Sequence, residues 1–135
     1  MIVGTEWLVE AAECDPAKLR DEILLRGLVD RVISDLGLKV IDSIWHCFPD
    51  AGGVTGMAML TESHLTCHTY PEHGTATFNL YCCRARPEWD WERNLKAIIS
   101  SQAVSVTRIE RGEIETENLS FVTSNSTSRS AGGRE

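Results

Sequence analysis

Three β-type segments follow one another in the middle of the chain with no helix between them, and this succession restricts the fold most. They cover residues 38–48, 57–69 and 75–83. A loop at 49–56 and a turn at 70–74 connect them, as their Pro and Gly content indicates. Strands that are adjacent in sequence and joined by such short links pair as antiparallel neighbours. The sequence therefore predicts a mainly antiparallel sheet.

Two helical segments and two outer strands flank this group. The first helix is predicted over 14–37, where Asp15 is placed to cap it, and the second within 88–102. The inner face of the second helix is predicted to consist of Trp91, Leu95, Ile98 and Ile99. Strands are predicted at 6–13 and 103–111. The predicted order is β-α-β-β-β-α-β, an α+β two-layer sandwich with two helices on one face of the sheet. The other face must contact water or another subunit.

Length and composition limit the class of protein. We assign residues 1–118 of the 135 to one domain and expect the polar tail, 119–135, to be disordered. A formal charge of −7 and a pI of about 5.1 argue against nucleic-acid binding. No apolar run approaches the ~20 residues of a membrane span, and we expect no signal peptide. Five cysteines without disulfide-framework spacing predict reduced thiols and a cytoplasmic location.

One stretch, residues 60–83, contains three of the four histidines and three of the five cysteines. A zinc site is disfavoured because there is no Cys-x-x-Cys pair and adjacent Cys82 and Cys83 point to opposite faces of a strand. A Cys-His nucleophile involving Cys67 or Cys83 is also open, although these cysteines fall within predicted strands rather than at a helix N-terminus.

A third possibility is that Ser63 acts on its own backbone. Its hydroxyl can attack the Glu62 carbonyl and convert the amide to an ester. If a base then removes the serine Cα proton, elimination cuts the chain, and hydrolysis leaves an N-terminal pyruvoyl group. This chemistry needs a hydroxyl or oxyanion donor and a base close by. On spacing alone it stays one possibility among three.

Longer motifs add a family resemblance. The stretch ESHLTCHTYPEHG, preceded by GVTG and followed by FNLYCC, resembles the processing region of the short prokaryotic S-adenosylmethionine decarboxylases. That pattern is Glu-Ser-His, three residues, His-Thr-aromatic-Pro-Glu, and a cysteine fifteen residues after the second histidine. The chain meets each spacing, and the likeness extends from residues 4–15 to 110–112.

The resemblance implies self-cleavage between Glu62 and Ser63 into fragments 1–62 and 63–135. Ser63 becomes a covalent pyruvoyl cofactor, which forms a Schiff base with the substrate amine. His68 is implied as the base or acid of processing, and the Thr55 hydroxyl as its assistant. No metal is expected.

The resemblance also implies a substrate site. Cys83 is the implied proton donor in decarboxylation, Glu72 the carboxylate that holds the ribose hydroxyls, and Phe48 and Tyr70 the rings that stack on adenine. The expected activity is decarboxylation of S-adenosylmethionine, which supplies aminopropyl groups for spermidine synthesis. The alternatives are arginine or ornithine as substrate, or a non-catalytic paralogue. A homodimer of cleaved protomers is expected.

Some positions depart from the family pattern. Asn79 stands where aspartate is common, and Arg84 where a glycine follows the cysteine; Tyr70 replaces tryptophan, His73 replaces tyrosine, and the 48–53 loop is one residue longer.

Ser63 and His68 are five residues apart, so a continuous strand places them on opposite faces. Their cooperation therefore requires a bulge, a break, or a rearrangement after cleavage.

Overall fold

The structure of the chain, a computed structural model, describes residues 1–112 and 114. The predicted disordered tail, 119–135, and the end of the predicted domain at 118 lie outside the described residues. The elements in chain order are β1 (Gly4–Ala12), α1 (Pro16–Leu19), α2 (Glu22–Asp35), β2 (Val40–Cys47), β3 (Val54–Leu60), β4 (Ser63–Tyr70), a 3-10 turn (Pro71–His73), β5 (Thr75–Cys82), α3 (Trp91–Ile99) and β6 (Ala103–Arg111).

The strands form one sheet in the order β2-β3-β4-β5-β1-β6. All neighbouring pairs are antiparallel. The first strand of the chain therefore lies inside the sheet, between β5 and β6. The predicted α+β class and antiparallel sheet are confirmed.

The prediction of one strand over 57–69 is wrong, and so is the five-strand order that followed from it. The chain bends at Thr61 and Glu62, so that β3 and β4 form a hairpin and the sheet has six strands. Two hydrogen bonds from other parts of the chain hold the bend. Thr61 donates its N–H to the Lys39 carbonyl at 3.0 Å, and the Glu62 carbonyl accepts from the Cys83 N–H at 2.8 Å. Neither Thr nor Glu is a turn signal, so the bend was not predictable from these residues.

The single helix predicted over 14–37 is two helices. Asp15 caps α1 as predicted, accepting the Ala17 N–H at 3.0 Å. A second cap follows at once, because the Asp21 carboxylate accepts the Leu24 N–H at 3.1 Å. A side chain that satisfies a free N–H in this way starts a new helix. The chain therefore turns between α1 and α2.

The core lies between the helices and one face of the sheet. Leu65 and Cys67 of β4 are buried in it, whereas the alternate residues His64 and His68 are exposed on the other face, hereafter the open face. The core also contains Trp7, Leu25, Leu28, Phe78, Trp91, Leu95 and Ile99. Of the predicted inner face of the second helix, Trp91, Leu95 and Ile99 are buried in the core, and Ile98 is partly buried against it. The helices cover one face of the sheet and leave the open face without any covering element of the described chain.

Candidate active site

The bond between Glu62 and Ser63 lies in the bend between β3 and β4. Its carbonyl oxygen, on Glu62, accepts a hydrogen bond from the Cys83 N–H at 2.8 Å. The Glu62 side chain is held as well, since Oε2 lies 2.6 Å from Arg84 Nε. An N–H aimed at a carbonyl also stabilises negative charge on that oxygen during attack at its carbon. The bend therefore presents a polarised peptide bond in a fixed position.

Ser63 is the first residue of β4 and pairs with Cys82 of β5. Its Oγ is buried and makes no hydrogen bond of standard geometry to any residue that the structure describes, although it lies close enough to lower the pKa of the Cys82 thiol against the larger effect of burial, which raises it. A buried hydroxyl without a partner has given up its bonds to water without replacement. Ser63 also lines a cavity of about 350 Å³ at the end of the sheet. The Cys82 thiol is thus its neighbour, and no stronger acceptor among the described residues holds the hydroxyl.

His68 and Thr55 face each other across β4 and β3. Thr55 Oγ1 and His68 Nδ1 are 3.2 Å apart, within hydrogen-bonding distance. Both belong to the open face of the sheet. The two residues expected to act together in processing are therefore neighbours.

Ser63 and His68 lie on opposite faces of β4, as their spacing predicts. The pairing of β4 with both neighbours runs without a register shift, so no bulge brings them together. Of the options left by the sequence, a rearrangement after the backbone is opened is the one that this geometry allows.

The residues expected to bind substrate share a groove with His68. A groove of about 430 Å³ on the open face is lined by Phe48, Gly52, Gly53, Thr55, His68, Thr69, Tyr70 and Glu72. The Phe48 ring is half exposed and its edge meets the His46 ring at 4.6 Å between centroids. Glu72 is exposed and 3.9 Å from His73 Nε2. Two aromatic rings and a carboxylate are thus brought together around one open space.

The floor of this groove depends on Gly53. A Cβ at this position would lie 1.9 Å from the Thr69 carbonyl oxygen, which is a direct clash with the backbone. The Thr69 hydroxyl in turn donates to the Leu19 carbonyl at 2.7 Å and accepts the Val54 N–H at 2.9 Å. Thr69 therefore links β4 to α1 and β3 and fixes the position of the groove floor.

The cysteines separate by environment. Cys83 is exposed and directly follows β5, whereas Cys67 and Cys82 are buried. Burial raises the pKa of the Cys67 thiol to about 12 and also raises the pKa of Cys82. These two thiols stay protonated at neutral pH and behave as small apolar residues. Cys83 is thus the accessible thiol of the cluster.

The His and Cys residues do not converge on a metal. Within residues 1–112 and 114, no three His, Cys, Asp or Glu side chains are grouped as metal ligands. His64 and His68 are on the open face, while Cys67 and Cys82 are on the covered one. The sheet itself keeps the candidate ligands apart.

Two departures from the family pattern have physical partners. Asn79 donates from Nδ2 to Glu6 Oε2 at 2.7 Å, and this bond lowers the pKa of Glu6. Arg84 pairs with Glu62 in the bend between β3 and β4. The sequence could not show either contact, because the partners are 73 and 22 positions apart. The hydrogen bond from the Cys83 N–H to the Glu62 carbonyl was also not predictable, because almost every residue type has a backbone N–H.

Comparison with known proteins identifies the family. A family model described as S-adenosylmethionine decarboxylase matches residues 5–112, most of the chain. The chain belongs to this family. The resemblance seen in the motifs is thereby confirmed.

Individual relatives agree with this assignment. The S-adenosylmethionine decarboxylase proenzyme of Thermotoga petrophila is 31% identical over 114 residues, which are 84% of this chain and 87% of that protein. The proenzyme of Parasynechococcus marenigrum is 39% identical over 82 residues, 61% of this chain; the match spans only 63% of that relative's length. The crystal structure of the adenosylmethionine decarboxylase from Aquifex aeolicus matches with a TM-score of 0.72 and 26% identity, covering 85% of this chain and 95% of that one.

Within the described residues, no helix has the length and apolar character needed to cross a membrane.

Proposed function

We propose that this chain is the proenzyme of a pyruvoyl-dependent S-adenosylmethionine decarboxylase that cuts itself between Glu62 and Ser63. The observation that carries the proposal is the bend at this bond. The Glu62 carbonyl accepts the Cys83 N–H, and the adjoining Ser63 hydroxyl is buried without a hydrogen bond of standard geometry to any described residue. Membership of the family supports the same reading.

Processing begins on the Ser63 side of the bend. The Ser63 oxygen attacks the Glu62 carbonyl carbon while the Cys83 N–H stabilises the charge that develops on the carbonyl oxygen. The carbon–nitrogen bond then breaks and the nitrogen takes up the hydroxyl proton. The product is an ester between Glu62 and the Ser63 side chain, with a free amine at residue 63.

Ester formation allows residue 63 to approach His68. Once the amide is broken, residues 62 and 63 are joined only through the Ser63 side chain, so the main chain of residue 63 can turn towards the open face. His68, with Thr55 at 3.2 Å, is then the base for the Cα proton. The electron pair of that C–H bond forms a Cα–Cβ double bond, and Glu62 leaves as a carboxylate that keeps the serine oxygen. Hydrolysis then releases the nitrogen of residue 63 as ammonia and leaves a pyruvoyl group at the new N-terminus.

The residues present fit such a cofactor, because the serine precursor stands at a bend where the Cys83 N–H donates to the Glu62 carbonyl, and the accessible Cys83 thiol lies beside it. Ser63 would carry the pyruvoyl group, which would supply a carbonyl for the substrate amine and an acceptor for the electron pair released on decarboxylation. Cys83 returns a proton to the substrate Cα, a task that suits the exposed thiol better than buried Cys67 or Cys82.

The groove on the open face supports S-adenosylmethionine as the substrate. Phe48 and Tyr70 provide faces for the adenine ring, and Glu72 can accept from both ribose hydroxyls. Arginine and ornithine have no ring for the aromatic side chains and no adjacent hydroxyls for the carboxylate. The groove and the family therefore favour the nucleoside substrate, and its product would supply aminopropyl groups for spermidine.

The open face supports a homodimer. Ile44 and Met57 pair across β2 and β3, with side chains 72% and 50% exposed, and Met59 beside them is 59% exposed. Apolar side chains grouped on an uncovered sheet face are typical of a surface buried in an assembly. A second copy of the chain, related by twofold symmetry, would cover this face.

All five cysteines are unpaired in the structure, which suits the proposed reducing, cytoplasmic location.

The test of the activity is carbon dioxide release. Purified chain is incubated separately with carboxyl-labelled S-adenosylmethionine, arginine and ornithine, and the Ser63→Ala variant serves as the matched control. We expect release from S-adenosylmethionine by the parent chain alone. Release from arginine or ornithine with none from S-adenosylmethionine would contradict the assigned substrate.

A further inference from the structure

A cation-rich cavity lies directly against the cleavage bend. The cavity of about 350 Å³ that Ser63 enters is also lined by Lys39, Arg84 and Arg86. Lys39 is tied to the bend by its backbone, since its carbonyl accepts the Thr61 N–H at 3.0 Å. Three cationic residues thus line the cavity beside the bond between Glu62 and Ser63.

The charges in this cavity are not balanced. Arg84 is paired with the Glu62 side chain at 2.6 Å. Among the described residues, neither Lys39 nor Arg86 has a side-chain ion pair or hydrogen bond, and the Arg86 Nε is buried. A buried donor without an acceptor costs free energy, so such groups in native proteins usually have a partner. The intact chain therefore has two cations here and no anion for them.

Cleavage would place an anion at this position. The neutral Glu62 carbonyl becomes an α-carboxylate, with one oxygen already on the Cys83 N–H. We propose that Lys39 and Arg86 bind this new carboxylate and hold the end of fragment 1–62 in place after cleavage. This inference rests on the proposed self-cleavage. Charge-assisted hydrogen bonds from arginine and lysine to a carboxylate are among the stronger ones in proteins.

Such binding has a consequence for processing. If the Glu62 end stays in place, residue 63 must be the one that moves when the two new ends separate. That is the residue which has to leave the covered side of the sheet and reach His68 on the open face. The cavity would thus anchor one product end while the other moves into the active site.

The test compares charge removal before and after cleavage. Lys39→Met and Arg86→Met are each made in the self-cleaving chain and in the uncleaved Ser63→Ala chain, with the exposed Arg108→Met as control. At equal protein concentration, we expect each variant to lower the melting temperature of the cleaved form by about 4 °C. The uncleaved form should be unchanged or slightly more stable, since a cation is removed from among cations. Equal losses in both backgrounds would overturn the proposal.

A second measurement probes the chain end itself. Carboxypeptidase digestion of the cleaved protein, followed by mass spectrometry, gives the rate at which Glu62 is removed relative to the chain's own terminal Glu135. We expect Arg86→Met to raise this relative rate roughly tenfold, the effect of losing one charge-assisted hydrogen bond. An unchanged rate would overturn the proposal. Should Arg86→Met not cleave, Lys39→Met is read in the same way; a parent chain that never cleaves would instead contradict the proposed function.

Discussion

Asn79→Asp gives the sharpest test of the contacts on the open face. Asn79 Nδ2 lies 2.7 Å from Glu6 Oε2, and Arg111 donates to the other oxygen of the same carboxylate. Aspartate at this position replaces a donor with a second carboxylate. The variant therefore loses a hydrogen bond to a charged group, which contributes about 1.5–3 kcal/mol.

The pH dependence follows from the charges. Two carboxylates this close cannot both stay ionised, so the folded variant must take up a proton. At pH 7, protonating a carboxyl with a pKa of about 4.3 costs about 3.7 kcal/mol, which limits the pH-dependent part of the loss. The parent chain behaves in the opposite sense. Its lowered Glu6 pKa contributes stability above the unfolded pKa, and that stability is lost as the pH falls through the folded pKa.

Urea unfolding in the uncleaved Ser63→Ala background, at fixed protein concentration, measures both effects. We expect Asn79→Asp to destabilise by about 3 kcal/mol at pH 7 and by clearly less near pH 4.5. The double variant Glu6→Gln, Asn79→Asp restores one donor and one acceptor and should recover most of the loss. A destabilisation that is independent of pH, or that the double variant fails to recover, would refute the contact.

Four further changes test the active site and the assembly. Cys83→Ala should still cleave but decarboxylate roughly 10²-fold more slowly, as for a lost general acid; an unchanged turnover would remove Cys83 as the proton donor. His68→Ala should stop at the ester, so that hydroxylamine splits the chain while incubation without it does not, and normal cleavage in electrophoresis would contradict the role of His68. Glu72→Gln should raise KM roughly tenfold or more with processing intact, because hydrogen bonds to a charged group weaken; an unchanged KM would exclude Glu72 from substrate binding. Met57→Lys on the open face should shift the mass in light scattering towards the monomer, and an unaltered dimer would place the interface elsewhere.

The sequence predicted the elements whose signals are local. The strands at β2 and β5 and the buried face of α3 follow from apolar residues at strand or helix spacing. The alternation of side chains along β4 likewise predicted that Ser63 and His68 point to opposite faces. These features need no knowledge of distant partners.

The features that were missed depend on long-range contacts. The bend between β3 and β4 has no glycine, proline or asparagine and is held by Lys39 and Cys83 from other parts of the chain. The break between α1 and α2 depended on a second capping aspartate, Asp21, within one helical pattern. The grouping of cations around the bend required the six-strand arrangement itself. Motif spacing indicated the candidate residues, whereas only the fold showed which of them lie together.

Intact mass measurement of the purified chain tests self-cleavage between Glu62 and Ser63. We expect two fragments, 1–62 with a free carboxylate and 63–135 lighter by one ammonia than a serine-initiated fragment. The Ser63→Ala variant should remain a single chain. An uncut parent chain after prolonged incubation, or a cut fragment that begins with unmodified serine, would contradict the formation of a pyruvoyl group from Ser63.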